Sequence, residues 1–348
     1  MRILVISTSF NTFTQRVFTD LIGAGHEVCV ELHFSLDAMR EAVDQFEPDL
    51  ILCPFLKQIV PEDIWKTHLT IIMHPGIKGD RGPSSIDWAI LENSREWGVT
   101  ALEADAETDA GDIWSTNTFK LPLATKSYVY RTHITEAGMN GVFALIDKLD
   151  GLRRRVEEVD DPVAMRDIIN PPSALKESIA RAKQRVPAGC ADLLPEPLNL
   201  EDQKIEGRLR PLMKQTDRKI DWETDVTETI VRKIHAADGF PGVRDQICNR
   251  DYLLFGAHFE DILGHDSVAS PGDIIATRHG AICRKTVECA VWISHLKRKG
   301  EGGNVPATTV LPDEILAGAP DSPIPTLFTG MMSVGNDWCM MIGVRVDH

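Results

Sequence analysis

The sequence predicts an α/β fold: a doubly wound, mostly parallel sheet with a helical extension over residues 1–200, a smaller β-rich domain over 201–310, and a tail, 311–348, without a clear period. Three observations predict it. Continuous apolar runs such as Ile3-Leu4-Val5-Ile6 alternate with segments of helical period, as expected of strands buried on both faces and joined by helices. A glycine-rich turn, His74-Pro75-Gly76-Ile77-Lys78-Gly79-Asp80-Arg81-Gly82-Pro83-Ser84-Ser85, separates a strand-like stretch from a helix-like one, and ligands bind at such edges of open sheets. Beyond residue 216 the apolar runs shorten and are bounded by glycine and polar residues, the pattern of a small β domain.

The elements follow in order. Ile3–Ile6 is the first strand, and Phe18, Leu21 and Ile22 lie on a helix ending near Gly23–Gly25. Val28–Leu32 is the second strand, Ala38–Phe46 a helix, and Asp49–Cys53 the third strand. Leu69–Met73 is the fourth, Ile86–Asn93 a helix, and Val99–Ala104 the fifth. The charge run Arg153–Asp161 reads as a solvated helix face, Leu175–Lys183 as helix, and Pro187, Pro195 and Pro197 as an extended connector. Asp225 and Glu228 resemble a capping box for a helix bearing Val226, Ile230 and Ile234. Tyr252–Phe259, Ile274–Thr277 and Val287–Ser294 read as short strands.

Composition narrows the function. The 348 residues suffice for two domains, with 43% hydrophobic and 26% charged residues. No apolar run approaches the roughly 18 residues of a membrane span. The seven cysteines are scattered and form no Cys-x-x-Cys, which argues for reduced thiols, a cytoplasmic setting and no metal site. A net charge of −15 opposes nucleic-acid binding. The first turn, Ser7 to Gln15, lacks the glycines of a dinucleotide site, although its polar residues suit another ligand.

Two groups carry chemistry. His74 ends the fourth strand, and histidine exchanges protons near neutral pH; a capping role for the adjacent turn or helix is the alternative. Residues 105–112 hold three Asp and one Glu. Asp105 and Glu107 suit a solvated loop, whereas Gly111 allows a tight turn that can aim Asp109 inward to pair with His74. Following the fifth strand, this loop is expected at the same carboxyl edge as the histidine.

His74, Arg81-Gly82-Pro83 and Trp88-Ala89-Ile90 together resemble the signature of the 10-formyltetrahydrofolate formyltransferases, as does Asp109-Ala110-Gly111-Asp112. Lys219-Ile220-Asp221-Trp222 and Val291-Trp292-Ile293 resemble the carboxyl-terminal domain of methionyl-tRNA formyltransferase. The longer run from His74 to Ile90 is most similar to the HypX/HoxX hydrogenase maturation proteins. The resemblance spans roughly residues 1–310 and implies the formyltransferase amino- and carboxyl-terminal domains. It implies His74 and Asp109 as catalytic residues, with Ile72 standing where the family places an asparagine that donates to the oxyanion. Loss of one such donor typically costs about 2.7–4 kcal/mol, which a thiol acceptor would tolerate better than an amine.

The resemblance further implies transfer of formyl from 10-formyltetrahydrofolate to coenzyme A, in support of carbon monoxide synthesis for the NiFe site of hydrogenase. Asn11, Gln15 and Arg131 would hold coenzyme A, although Arg131 also suits a surface ion pair. Phe55, Leu56, Ile59, Glu103 and Asp105 would face the folate, although Phe55 and Leu56 also suit the core. No crotonase-like pattern is found in 311–348, so a fragment, a truncated product or a stand-alone formyl-handling unit is expected, without carbon monoxide release of its own. Partners would be small-molecule substrates and hydrogenase maturation proteins. The alternatives are a methionyl-tRNA or sugar-nucleotide formyltransferase, or a non-catalytic folate- or coenzyme A-binding module.

Overall fold

A computed structural model describes residues 1–32, 35–158, 176, 179–180, 191–202, 204–264, 267–298, 302–322, 326–334 and 337–345. The chain forms two compact units, Met1–Asp217 and Arg218–His348. The expected helix at 175–183 and Pro187 lie almost wholly outside the described residues. Among those described, no helix is long and apolar enough to cross a membrane.

The first unit is built on a six-stranded sheet: β1 (Arg2–Ser7), β2 (Glu27–Leu32), β3 (Leu50–Phe55), β4 (Thr70–His74), β5 (Glu96–Glu103) and β6 (Ile113–Lys120), in the order β2-β1-β3-β4-β5-β6. β2, β1, β3 and β4 are parallel. Their continuous apolar runs are buried, from Ile3–Ile6 in β1 to Leu50–Cys53 in β3. Helix α1 (Thr12–Gly23) is capped by the Asn11 side chain and buries Phe13, Val17 and Leu21, a four-residue spacing that makes one stripe. Helix α2 (Leu36–Phe46) buries Met39 and Val43. The strand order reverses between β1 and β3, and Thr8 N donates to Phe55 O across that gap at 2.7 Å.

β5 departs from the doubly wound expectation. It runs antiparallel to β4, with Ile71 opposite Glu103 and His74 opposite Thr100. The intervening helix α4 (Ser85–Leu91) has seven residues and is only about 10 Å long. It cannot return the chain to the far edge of the sheet, so β5 re-enters from the edge where His74 lies. β6, antiparallel to β5, was not read from the sequence because its exposed and partly buried residues alternate after Trp114. A short helix α3 (Glu62–Thr67) precedes β4. After β6 the chain enters α5 (Lys126–Val129), one π-turn (Tyr130–Ile134) and the long helix α6 (Thr135–Glu158). Val142, Leu145, Ile146, Leu149 and Leu152 of α6 are buried on one stripe.

The second unit carries an antiparallel sheet, β7 (Val243–Ile247), β8 (Arg250–Glu260), β11 (Ala290–Arg298), β10 (Ala281–Lys285) and β9 (Ile274–Arg278), with β12 (Val305–Pro306) paired to β11. Helix α7 (Thr227–Ala237) packs Ile230, Val231 and Ile234 into its core. The expected capping box is not formed. The cap residue is Val226 without a side-chain bond, while the Asp225 carboxylate accepts from Asp221 N and Lys233 Nζ. The first three residues of the expected strand at 287–294 form a bend, and β11 begins at Ala290. The Arg284 guanidinium lies 3.8 Å above the Trp222 ring and pairs with Asp245, which also accepts from Trp222 Nε1 at 3.1 Å. Trp222 of the Lys-Ile-Asp-Trp run is thereby fixed as a packing element. Thr326–Val334 and Asp337–Arg345 pair as an antiparallel two-stranded ribbon.

Candidate active site

His74 is the last residue of β4 and is buried. The turn that follows is pinned from several directions. Thr100 Oγ1 donates to Gly76 O, Trp97 Nε1 and Ser85 Oγ donate to Pro75 O, and Gly76 leaves no room for a β-carbon against the His74 ring. This folds Asp80 back onto the histidine. His74 Nε2 donates to Asp80 Oδ2 at 2.9 Å, and the Asp80 side chain is 0% exposed. Asp80 was not singled out in the sequence; six residues along an irregular turn give no periodic signal.

The opposite ring nitrogen faces the other predicted partner. His74 Nδ1 lies 3.3 Å from Asp109 Oδ2, and the Asp109 side chain is 12% exposed. The route differs from the expectation. Because β5 is antiparallel, the acidic loop leaves the sheet at the amino end of β4, not at the carboxyl edge, and folds back to reach the histidine. Three features close it. Glu103 N donates to Asp112 O at 2.9 Å, and Gly111 packs so tightly on Glu103 O that a β-carbon would lie 2.0 Å away. Asp109 takes the left-handed conformation at φ 52°, which Asp tolerates better than most residues. Gly82 N then donates to Asp109 Oδ2 at 3.0 Å, and Arg81 pairs with Glu107.

Burial disfavours the charged ring of His74. The hydrogen bond to Asp80 and the charges of Asp109 and Asp80 outweigh it, so the pKa is raised above that of an ordinary histidine. An imidazolium with one carboxylate at each nitrogen is suited to hold and release a proton at a fixed place.

A segment distant in sequence supports this pair. Arg81 N donates to Arg208 O and Arg210 N to Arg81 O, joining residues 208–210 to the turn. The Arg210 guanidinium pairs with Asp80 and donates to Glu92 Oε2 at 2.8 Å, while Arg208 donates to Glu92 Oε1. Burial alone would raise the Glu92 carboxyl, but these two arginines hold it below the usual range.

The remaining predicted residues fall into separate groups. Ile72 is half-buried, opposite Cys53 in β3, and packs against the apolar cluster of Leu4, Ile6, Ile51 and Cys53. It therefore serves the core where an amide donor was looked for. Leu56 packs on the same cluster, and Ile59 is 76% exposed. The Phe55 ring meets Tyr130 edge-on at 5.7 Å. The Glu103 carboxylate accepts from Trp114 Nε1, and Asp105 lies in the exposed loop, accepting from Ala106 N. Asn11 caps α1 through Oδ1 and donates from Nδ2 to the Tyr130 hydroxyl, so its side chain is largely committed. Gln15 is exposed and donates to Phe10 O. Arg131 sits exposed in the π-turn, with Nε donating to Ser127 O; among the described residues it forms no ion pair. Asn11, Phe55 and Tyr130 thus meet beside the point where the strand order reverses, which is a ligand-binding position in open sheets.

Comparison with known proteins agrees with this architecture. Residues 1–139 match the family "Formyl transferase" and residues 212–304 "Formyl transferase, C-terminal domain". The chain is 40% identical over 298 residues to the hydrogenase maturation factor HoxX of Bradyrhizobium diazoefficiens, covering 86% of this chain and 45% of the relative. It superposes on the crystal structure of HypX from Aquifex aeolicus in complex with tetrahydrofolic acid with a TM-score of 0.74 and 35% identity, covering 99% of this chain and 51% of that one. It is 24% identical over 229 residues to the cytosolic 10-formyltetrahydrofolate dehydrogenase of Xenopus tropicalis, covering 64% of this chain and 20% of the relative. The chain spans about half the length of the HoxX and HypX proteins it matches. With both domains matched in chain order and the HoxX and HypX likeness running across nearly all of it, the chain belongs to the formyl transferase family, in its HoxX/HypX-like form.

Proposed function

We propose that this chain transfers a formyl group from 10-formyltetrahydrofolate to coenzyme A, in support of carbon monoxide ligand synthesis during NiFe-hydrogenase maturation. The observation that carries the proposal is His74 held between Asp80 and Asp109. In formyl transfer the acceptor adds to the formyl carbon, the bond to the folate nitrogen breaks, and that nitrogen gains the proton the acceptor loses. His74 serves as the general acid and base for this exchange, a contribution of about 10²–10⁴-fold. Asp80, wholly buried, orients the ring; Asp109, on the more open side, stabilises its cation. The folate is assigned to Phe55, Leu56, Ile59, Glu103 and Asp105, and coenzyme A to Gln15 and Arg131, with Asn11 shaping its loop. A planar guanidinium such as that of Arg131 suits a phosphate.

Ile72 supports a thiol acceptor over an amine. No side-chain amide stands at that position, and a thiolate demands less help at the oxyanion than an amine that must also be deprotonated. The test is a competition assay offering coenzyme A, initiator tRNA and an amino-sugar nucleotide together with 10-formyltetrahydrofolate. Formyl-coenzyme A as the dominant product supports the reading, and formylation of tRNA or of the sugar refutes it.

A further inference from the structure

We propose that Arg210, backed by Glu92, is a positioning residue for His74: it holds Asp80 as a fixed acceptor at Nε2, so that the proton exchanged in the reaction is the one on Nδ1, facing Asp109. The proposal rests on the formyl-transfer reading of His74. Arg210 lies outside the first matched domain and precedes the second, and no part of the His74 motif includes it.

The geometry supports this in three steps. The Asp80 side chain has no exposed surface, and its two oxygens are divided between two cations: Oδ2 takes His74 Nε2, and Oδ1 takes Arg210 Nη1. A buried carboxylate needs a permanent counter-charge to stay ionised. Histidine cannot supply one through a catalytic cycle in which it gains and loses a proton, whereas arginine stays charged throughout. With Arg210 in place, Asp80 remains an acceptor in both states of the ring, and the neutral ring keeps its proton on Nε2. Only Nδ1 is then free to exchange.

Arg210 is itself held rigidly. Its side chain is 9% exposed, its second amino group donates to Glu92, and its guanidinium lies 5.3 Å from the centre of the Trp97 ring. The Trp97 indole in turn donates to Pro75 O, beside His74. The backbone is seated as closely as the side chain. A β-carbon on Gly82 would lie 2.1 Å from Arg210 O, and one on Gly207 2.0 Å from Asp80 N. The segment carrying Arg210 is thus built against the turn carrying Asp80. Among the described residues, the ion pairs around His74 involve Asp80, Asp109, Arg210, Glu92 and Arg208, with Arg81 engaged by Glu107.

The test is a series, Arg210→Met, Arg210→Lys and Glu92→Gln, read by turnover and by NMR titration of the His74 ring nitrogens. For Arg210→Met the expected result is a loss of at least tenfold in kcat and less than threefold change in KM for 10-formyltetrahydrofolate. His74 should then titrate roughly one unit or more higher, because it becomes the only cation on Asp80, and its neutral form should lose the preference for the Nε2 proton. Arg210→Lys should recover part of both changes. Glu92→Gln, at a partly exposed position, loosens Arg210 but leaves its charge: it should lower kcat by less than Arg210→Met and weaken the Nε2 preference without the upward shift of the His74 titration, and it serves if Arg210→Met does not fold. An unchanged His74 titration and tautomer in variants that are merely less stable would overturn the proposal. The NMR readout needs no turnover, so absence of formyl transfer in the wild type would sink the formyl-transfer reading while leaving the positioning claim separately tested.

Discussion

Asp109 reaches His74 from the opposite end of β4: its loop leaves β5 beside Ile71, yet its carboxylate lies 3.3 Å from the histidine Nδ1. The loop is stitched back by Gly82 N, which donates to the same carboxylate oxygen. The two halves of the pair are therefore coupled through the turn that follows His74.

Replacing Asp109 with Asn keeps its shape and its contact with the ring but removes the charge. Turnover of 10-formyltetrahydrofolate should fall by roughly 10²-fold or more, toward the range of lost acid–base help, with little change in the thermal midpoint. Steady-state kinetics beside a melting curve check this; wild-type turnover would assign the proton chemistry elsewhere.

The raised pKa of His74 ties stability to pH. The folded protein binds the proton more tightly than the unfolded chain, whose histidine titrates near 6.5. This contribution is fully present below about pH 6.5 and is lost as pH rises through the folded value. Stability of the wild type relative to His74→Asn should therefore decline across the interval above pH 6.5, as measured by urea unfolding at a series of pH values. A difference that grows with pH would show that the ring is neutral in the folded state.

Gly82 adopts φ 107°, and Arg210 O occupies the place of a β-carbon. Gly82→Ala carries both backbone strain, about 1–3 kcal/mol, and a collision with backbone that cannot rotate aside. The first unit should lose several degrees of thermal stability, while hydrogen exchange in β8 and β11 of the second should be unaffected. A variant as stable as the wild type would show that residues 208–210 are not seated on the turn.

Ile72→Asn introduces the side-chain amide that the sequence resemblance to the formyltransferases implies at this place. Ile72 packs on the cluster of Leu4, Ile6 and Cys53, and an unpaired amide there costs roughly 1–3 kcal/mol. The expected outcome is a less stable protein without faster transfer to coenzyme A. A tenfold gain in rate would instead show that a missing oxyanion donor limits the reaction.

The elements and the site were legible to different extents, for physical reasons. The runs Ile3–Ile6 and Leu50–Cys53 announced buried parallel strands because both faces of such strands are apolar. His74 and Asp109 are legible because one ends such a run and the other stands two residues before a glycine. The direction of β5 was not legible, since a strand reads the same in either direction and the short α4 decides it. β6 was hidden by its alternating polar face. Asp80 and Arg210 were missed because their pairing depends on a turn without periodicity and on a contact spanning 130 residues.

The most direct test incubates the wild type and His74→Ala with 10-formyltetrahydrofolate and coenzyme A and follows tetrahydrofolate and formyl-coenzyme A by mass spectrometry. The wild type should produce both in equal amounts, and His74→Ala should reduce both by at least 10²-fold while still binding the folate. Equal product from the two proteins, or folate bound by the wild type and never consumed, would contradict a transfer centred on His74.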